Sequence, residues 1–519
     1  MAAKVQRLLG VPGTLNARRL FTVLLLAVVV LSLPSCGARV APYLGVSNGV
    51  SQGGVTASSG SASSVPSAGL AAGSLPGASS GGMLRVSGGK VATSTSVSQP
   101  PSVSQPPPLS QLTQANFSFN PAVQAAYCPA AAGNTASAPG VTPTMVVAGN
   151  VSGITGPFTG SFSAGPQAVV AAFDAVDAYG GICGRKLDLL VLDDGQDPSR
   201  NAADIADLIA RPVFAFVGST SDADDGGVQA MVKAGIPDVG FAINPNRSMS
   251  DVYWSASGSV GASNGGQAVY WDTLPRGLQT YHDFPTRLAV LSYNIPMSAN
   301  AGSNYAHLFH HDGSTICYED FSISPATASL EGDVIEMRKD NCNGVFTTLD
   351  VNGNAKLLQA MQQQNWHPGY TGGSFDTYTS AQITDAGVGA AQGFQAEIPF
   401  LPLTSSSPVI QQYESELRTY EPGRQPNGFG LEAWANAEMF IFALVAGGRN
   451  PTRAGIVRVF SSLDNWTTGG ALSPVTPRLH SQAGKCDVEL IVKGDGFFRA
   501  WPAHGLNCNS VLVPVGPAG

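Results

Sequence analysis

Residues Met145–Gly218 read MVVAGNVSGITGPFTGSFSAGPQAVVAAFDAVDAYGGICGRKLDLLVLDDGQDPSRNAADIADLIARPVFAFVG. They lay down strand, glycine-rich turn, helix, strand, turn, helix and strand in one register. Met145, Val146, Val147 and Ala148 form a short apolar run, and the following GNVSGITGPFTGSFSAGP is too rich in Gly, Ser and Pro for a buried strand or helix. Pro166 suits a first helical turn. Val169, Val170, Phe173 and Val176 then recur at helical spacing until Gly180-Gly181 stops the pattern. Lys186–Leu192 is the next strand, Asp197-Pro198 opens a helix carrying Ile205, Leu208 and Ile209, and Val213–Val217 is a third strand. This alternation specifies a parallel sheet with right-handed crossovers, and such sheets hold ligands at the carboxyl ends of their strands.

Four marks follow one another in this stretch: Gly156-Pro157 in the first loop, the YGGIxGRKL turn from Tyr179 to Leu187, the LDDGQDP loop from Leu192 to Pro198, and an apolar strand ending at Gly218. Together they closely resemble the leucine/isoleucine/valine-binding family of type I periplasmic solute-binding proteins. The likeness is strong from about residue 143 to 245 and looser through residue 505. It implies an α/β fold of two Rossmann-like lobes, each with a parallel sheet, joined by a hinge that the chain crosses several times. On that pattern 143–263 is the first part of lobe one, 264–393 the first part of lobe two, 394–470 a return to lobe one, and 471–519 a closing segment of lobe two with the C-terminal tail.

The front end reads as a targeting segment. Lys4, Arg7, Arg18 and Arg19 precede an apolar run from Phe21 to Leu33, which ends at Leu33-Pro34-Ser35-Cys36. A charged region, a short apolar region and small residues before a cysteine look like a bacterial lipoprotein signal over 1–36, with Cys36 lipidated. An ordinary signal peptide or an anchor helix is the other reading, although the apolar run is short for a spanning helix. Arg18-Arg19-Leu20-Phe21 also resembles a twin-arginine signal. Residues 37–112 are mostly Ser, Gly, Ala, Val and Pro, with Arg39, Arg85 and Lys90 the only charges, and cannot bury enough apolar surface to order themselves. A disordered linker of that length has a reach on the order of 50 Å. An N-terminal arm, 113–142, joins it to the lobes.

The chain carries 27 basic and 35 acidic residues, and cleavage before Cys36 leaves 23 basic, a formal net charge of −12. That balance argues against nucleic acid as a partner. Seven cysteines less the lipidated one leave six, an even number in an oxidising compartment, and so three disulfides. Cys317 opens one lobe-two strand and Cys342 sits just ahead of another. Cys486 and Cys508 flank the apparent hairpin VELIVKGDGFFRAW, while Cys128 lies in the arm before the first strand and Cys183 in the turn before the second. The expected pairs are Cys128–Cys183, Cys317–Cys342 and Cys486–Cys508. No two of these cysteines are spaced as a chelating pair, so no metal site is expected.

Lobe two repeats the pattern: strand Leu288–Leu291, helix Asn304–His311, strands Thr315–Ile323 and Gly344–Leu349, helix Ala355–Gln364. Phe394–Phe400 and the helix Leu431–Val445 resemble the family's return into lobe one. A cleft between two such sheets presents loops from both sides. The resemblance maps the family's first-strand loop onto Thr159, Gly160, Ser161 and Phe162, its third-strand loop onto Ser219, Thr220 and Ser221, and its fourth onto Ile243, Asn244 and Pro245. In relatives that take amino acids, hydroxyls and amides of these loops hold the carboxylate. From lobe two come Tyr293, Asn294 and Ser298, then Asp350 and Asn352, then Ser374, Phe375 and Asp376; the family's carboxylate for a ligand ammonium falls near Asp376. Asp350 could equally cap a helix. One departure stands out: Asp222, Asp224 and Asp225 follow the hydroxyl loop, where acids would repel a ligand anion unless they face solvent or a helix N-terminus.

Catalytic readings are weaker. Gly261-Ala262-Ser263-Asn264-Gly265 matches a nucleophile elbow, but SASGSV rather than a buried strand precedes it. His307, His310 and His311 share a helical face without an acidic or cysteine ligand to complete a metal set. The Gly153, Gly156 and Gly160 spacing is neither a dinucleotide fingerprint nor a phosphate loop. The expectation is therefore a non-enzymatic, cofactor-free receptor, held outside the cytoplasm on the bacterial cell membrane by a lipid. It captures a small polar solute (branched-chain amino acid-like, amide or related) by hinge closure for the permease subunits of an ABC importer. The alternatives are a ligand-sensing subunit of a membrane signalling system and, less well supported, a serine hydrolase.

Overall fold

The computed structural model describes residues 108–158, 161–259, 263–264 and 267–517. The signal segment with Cys36, nearly all of the linker, and Thr159 and Gly160 lie outside the described residues. The described chain begins with an arm whose helix α1 (Pro121–Tyr127) is capped by Asn120, its side chain accepting from the amides of Ala122 and Val123 at 3.0 and 3.4 Å.

From there the order follows the sequence pattern: β1 (Met145–Ser152), α2 (Ala164–Asp177), β2 (Lys186–Asp193), α3 (Pro198–Ala210), β3 (Ala215–Val217), α4 (Val228–Ala234), β4 (Asp238–Val239), α5 (Pro245–Ser248) and β5 (Tyr253–Trp254). The strands form a five-stranded sheet in the order β2-β1-β3-β4-β5, parallel throughout. Helices cover both faces, which is why the strands carry apolar residues on both. Val146, Ala148, Ala215 and Val217 pack to one side with α2, while Val151 and Phe216 pack to the other with Ile205, Leu208 and Met231. Asp197 caps α3 by accepting from the Arg200 amide at 2.9 Å, with Pro198 at the first helical position.

Two further strands, β6 (Ser263–Asn264) and β7 (Gln267–Trp271), precede α6 (Thr273–Tyr281). The second sheet then follows: β8 (Arg287–Tyr293), α7 (Pro296–His311), β9 (Thr315–Ile323), α8 (Glu331–Lys339), β10 (Gly344–Thr347), α9 (Val351–Gln363), β11 (Tyr370–Gly373), α10 (Ser380–Ala386), α11 (Val388–Ala391) and β12 (Gln395–Ile398). After α12 (Pro408–Tyr420), α13 (Gly428–Gly447) and α14 (Arg453–Ser462), the hairpin β13 (Val488–Lys493) and β14 (Gly496–Trp501) completes it, and β15 (Leu512–Pro517) pairs with β7. The seven-stranded order is β14-β13-β12-β11-β10-β8-β9, parallel from β9 to β12 and antiparallel beyond.

Two expectations need correction. Phe394–Phe400, read as a return into lobe one, holds β12, which pairs with β11 on one side and β13 on the other and so belongs to the second sheet. Its partner β13 lies far downstream, and a short apolar run does not name its sheet. The return into lobe one is made by α12 and α13, which pack on α2. The helix read from Asn304 begins at Pro296, because proline at the first helical position extends it forward and puts Ser298 in the first turn.

α13 is long and apolar enough to cross a membrane, but 94% of its apolar window is buried inside the protein. Trp434, Phe440, Ile441 and Leu444 on it are all within the main core, and each such side chain contributes roughly 1.5–3 kcal/mol of burial. The arm docks on the same helix: the Phe117 ring meets Phe442 edge-on at 5.2 Å, and Gln124 hydrogen-bonds Glu438. Disulfides join Cys128 to Cys183, Cys317 to Cys342 and Cys486 to Cys508, the expected pairs, with Cα separations of 4.5, 5.8 and 4.2 Å. Beside the first of them, Arg185 of the GRKL turn is buried and donates to the carbonyls of Thr142, Thr135 and Arg449, clamping the arm to the sheet.

Candidate functional site

The LDDGQDP loop builds the floor of the first-strand loop. Asp193 accepts from the amides of Ile154 and Thr155 at 3.1 and 3.0 Å and from the Thr155 hydroxyl at 2.6 Å; Gln196 accepts from the Phe158 amide at 3.1 Å. A Cβ at Gly153 would lie 2.6 Å from the Gln196 side chain, so the loop passes only as glycine. The motif's acids thus hold backbone in place.

This loop borders a cavity of about 210 Å³ between the two sheets. Lobe one contributes Phe158, Ser161, Phe162, Asp222, Phe241, Ile243 and Phe429. Lobe two contributes Tyr293, Met297, Ser298, Tyr305, Thr348, Asp350, Ser374, Phe375, Asp376, Glu397 and Asp487. The lobes touch across its mouth, with ring centroids 5.8 Å apart for Phe158 and Tyr293, 5.8 Å for Phe241 and Phe375, and 4.8 Å for Phe375 and Phe429. The cavity is smaller than the ~300–1,000 Å³ pockets that take drug-sized ligands.

Of the loop residues singled out in the sequence, Ser161, Phe162, Ile243, Tyr293, Ser298, Asp350, Ser374, Phe375 and Asp376 line this cavity together. Ser219, Thr220, Ser221 and Asn244 stand behind its wall with their polar groups engaged. Ser219 Oγ accepts from the Val151 amide at 3.1 Å, and the Thr220 amide donates to Ser152 Oγ at 3.1 Å. Ser221 Oγ donates to Asp194 at 2.9 Å and accepts from the Ala223 amide at 3.1 Å, a loop-capping arrangement. Asn244 Nδ2 donates to Asp224 at 2.7 Å. Asn294 is exposed.

The three acids of the third-strand loop take separate roles. Asp224 is buried in an ion cluster: Arg247 Nη1 reaches it at 3.1 Å, while Nε and Nη2 of the same guanidinium grip Asp238 at 2.7 and 2.9 Å. Asp225 is half-buried. Asp222 lines the cavity, and both its carboxyl oxygens are buried without a hydrogen-bond partner among the described residues. Burial, then the neighbouring charges of Asp224, Asp376, Asp194 and Asp350, push its pKa up to about 8.

Across the cavity, Asp350 caps α9 through the Gly353 amide at 2.9 Å and accepts from the Tyr293 hydroxyl at 2.5 Å. Gly353 is required there, since a Cβ would lie 2.4 Å from that hydroxyl. Asp376 accepts from Ser374 Oγ at 2.6 Å, and burial raises it to about 7 despite that bond, with Asp350 adding to the rise. Deeper in, Tyr305 donates to Glu397 at 2.7 Å. Burial raises both Glu397 and Asp487, and the neighbouring Glu397 carboxyl adds to the rise at Asp487.

Sequence reasoning missed Phe158, Phe241, Phe429, Tyr305, Glu397 and Asp487. Phe241 follows β4 and Phe429 opens an apolar helix, so both read as core; only the two acids, Glu397 within β12 and Asp487 just ahead of β13, carried a local signal.

The enzyme readings find no support in the local geometry. Ser263 lies in a two-residue strand paired antiparallel with β7, not at a strand-to-helix turn. His311 approaches Asp312 at 3.4 Å with Asp272 near by, but Arg276 already occupies Asp272 at 2.6 Å.

A profile of the family described as periplasmic binding protein matches residues 146–486. No curated protein sequence matches the chain. Similar solved structures include a putative branched-chain amino acid ABC transporter from Rhodospirillum rubrum (17% identity, TM-score 0.52, 69% of this chain and 99% of that one). A fatty acid ABC transporter substrate-binding protein from Thermomonospora curvata is 16% identical, with TM-score 0.57, over 75% of this chain and 95% of that one. The branched-chain amino acid transporter substrate binding protein LivJ from Streptococcus pneumoniae, in complex with isoleucine, is 12% identical, with TM-score 0.57, over 69% and 99%. At these identities the likeness carries the fold.

Proposed function

Because the chain belongs to the periplasmic binding protein family, we propose that it is the substrate-binding lipoprotein of an ABC importer. It captures a small polar solute by closing two lobes upon it and presents it to the permease subunits. The observation that carries this reading is the cavity between the sheets, walled by loops of both lobes. A ligand that touches both walls only when they meet favours the closed state by that differential affinity. Cys36 is the anchor, the segment 37–112 the tether, and the domain boundaries those read from the sequence, with β12 reassigned to lobe two. The ligand contacts are Ser161, Phe162, Tyr293, Asp350 and Asp376, joined by Asp222.

A thermal-shift screen of the full chain over amino acids, amides, polyols, amines and small acids tests capture, since a bound ligand stabilises as its concentration exceeds Kd. Deletion is expected to abolish uptake of the best hit; unchanged uptake sinks the importer assignment. Cys36→Ala is expected to release the protein from the membrane fraction.

A further inference from the structure

The cavity's polar lining has one sign. Asp222, Asp350, Asp376, Glu397 and Asp487 all reach it, and among the described lining residues there is no Lys, Arg or His. The hydroxyl loop that the family resemblance assigned to a ligand carboxylate is turned away, with Ser221 spent on Asp194 and Ala223. Asp222 stands in front of it instead, its oxygens buried and without a partner. A buried carboxyl group in that state is costly unless something arrives to satisfy it. A ligand carboxylate at this wall would meet Asp222 on one side and Asp376 on the other, in a setting where charges act more strongly than in water. The rest of the wall is aromatic, with Phe158, Phe162, Phe241, Phe375 and Phe429 offering apolar faces that also attract cations.

We propose that the captured solute is an amine: a small organic cation with an apolar body and no carboxylate, its ammonium group held between Asp222 of lobe one and Asp376 of lobe two. This rests on the capture reading and reverses the polarity of the lobe-one wall. Carboxyl groups that burial keeps protonated release that proton as the ammonium takes its place.

The test is calorimetric titration of the full chain, at a pH above about 8 where Asp222 ionises, with two matched series. Phenethylamine, 2-phenylethanol, 3-phenylpropanoate and phenylalanine share one body; isoamylamine, isoamyl alcohol, 4-methylpentanoate and leucine share another. The amine is expected to bind tightest in at least one series, by about tenfold or more over its alcohol, with the acid and the zwitterion weaker still. Asp222→Asn, of the same shape, is expected to weaken the amine by about tenfold or more. If that variant fails to fold, the wild-type series decides alone. An acid or zwitterion that binds as well as its amine overturns the proposal and leaves capture standing, as does an unaltered amine affinity in folded Asp222→Asn. If neither series nor the wider screen yields any ligand, the capture reading falls as well.

Discussion

The Tyr293 hydroxyl donates to Asp350 across 2.5 Å, joining the end of β8 to the first turn of α9 at the cavity wall. One bond therefore sets the position of two lining residues. Tyr293→Phe removes a charge-assisted bond while Asp350 keeps the Gly353 amide. The expected cost is about 1–2 kcal/mol in urea unfolding, with a drop in affinity for the captured solute. Unchanged stability and affinity would show that the bond positions nothing.

The unliganded protein is expected to lose stability as pH rises. In the unfolded chain Asp222 ionises near 3.8, whereas the fold, with Asp194, Asp224, Asp350 and Asp376 around it, holds the proton to about 8. Between those values the native state binds the extra proton, so its advantage declines with increasing pH and is gone above about 8. Asp222→Asn should flatten the profile of melting temperature against pH. Asp376, raised to about 7, and Glu416, raised to about 8, keep a residual slope. An identical slope in the variant would show that Asp222 is ionised throughout.

Ser221→Ala separates scaffolding from contact. Loss of the bond to Asp194 is expected to cost about 1 kcal/mol, because Asp194 retains the Asn201 side chain and the Gln196 amide at 2.8 Å each. Solute affinity should hold. A loss of affinity without a loss of stability would return Ser221 to the binding site.

Arg247→Met leaves Asp238 and Asp224 buried without their cation. Removing one partner of a buried ion cluster costs roughly 3–5 kcal/mol, so the urea midpoint should fall sharply. A midpoint within experimental error of wild type would mean that water replaces the guanidinium.

The paired change Cys128→Ser with Cys183→Ser frees the arm from the β2 turn. About 2–4 kcal/mol of stability is expected to go, without a change in solute affinity, since neither cysteine lines the cavity.

Local chemistry made the first lobe readable. Asp197 before Pro198, Pro166 inside a helical start and Gly180-Gly181 at its stop each act through bonds within a few residues, and the helices begin and end close to them. The site was legible where it follows a strand end, as at Ser161, Tyr293 and Asp376. It was opaque where a side chain's direction depends on distant packing. Nothing local distinguishes Ser221, facing Asp194, from Asp222 beside it, facing the cavity. Glu397 and Asp487 meet only because an antiparallel hairpin closes a parallel sheet across a long stretch of sequence.

The docked arm also settles where mechanical load goes. Tension applied at Leu109 passes into the Phe117–Phe442 contact, the Gln124–Glu438 bond and the Cys128–Cys183 cross-link, all seated in lobe one. None of these touches β8, α9 or the cavity wall. A pull on the arm would drag the whole body along without prising the two sheets apart, so load on the arm and grip across the cavity stay mechanically separate.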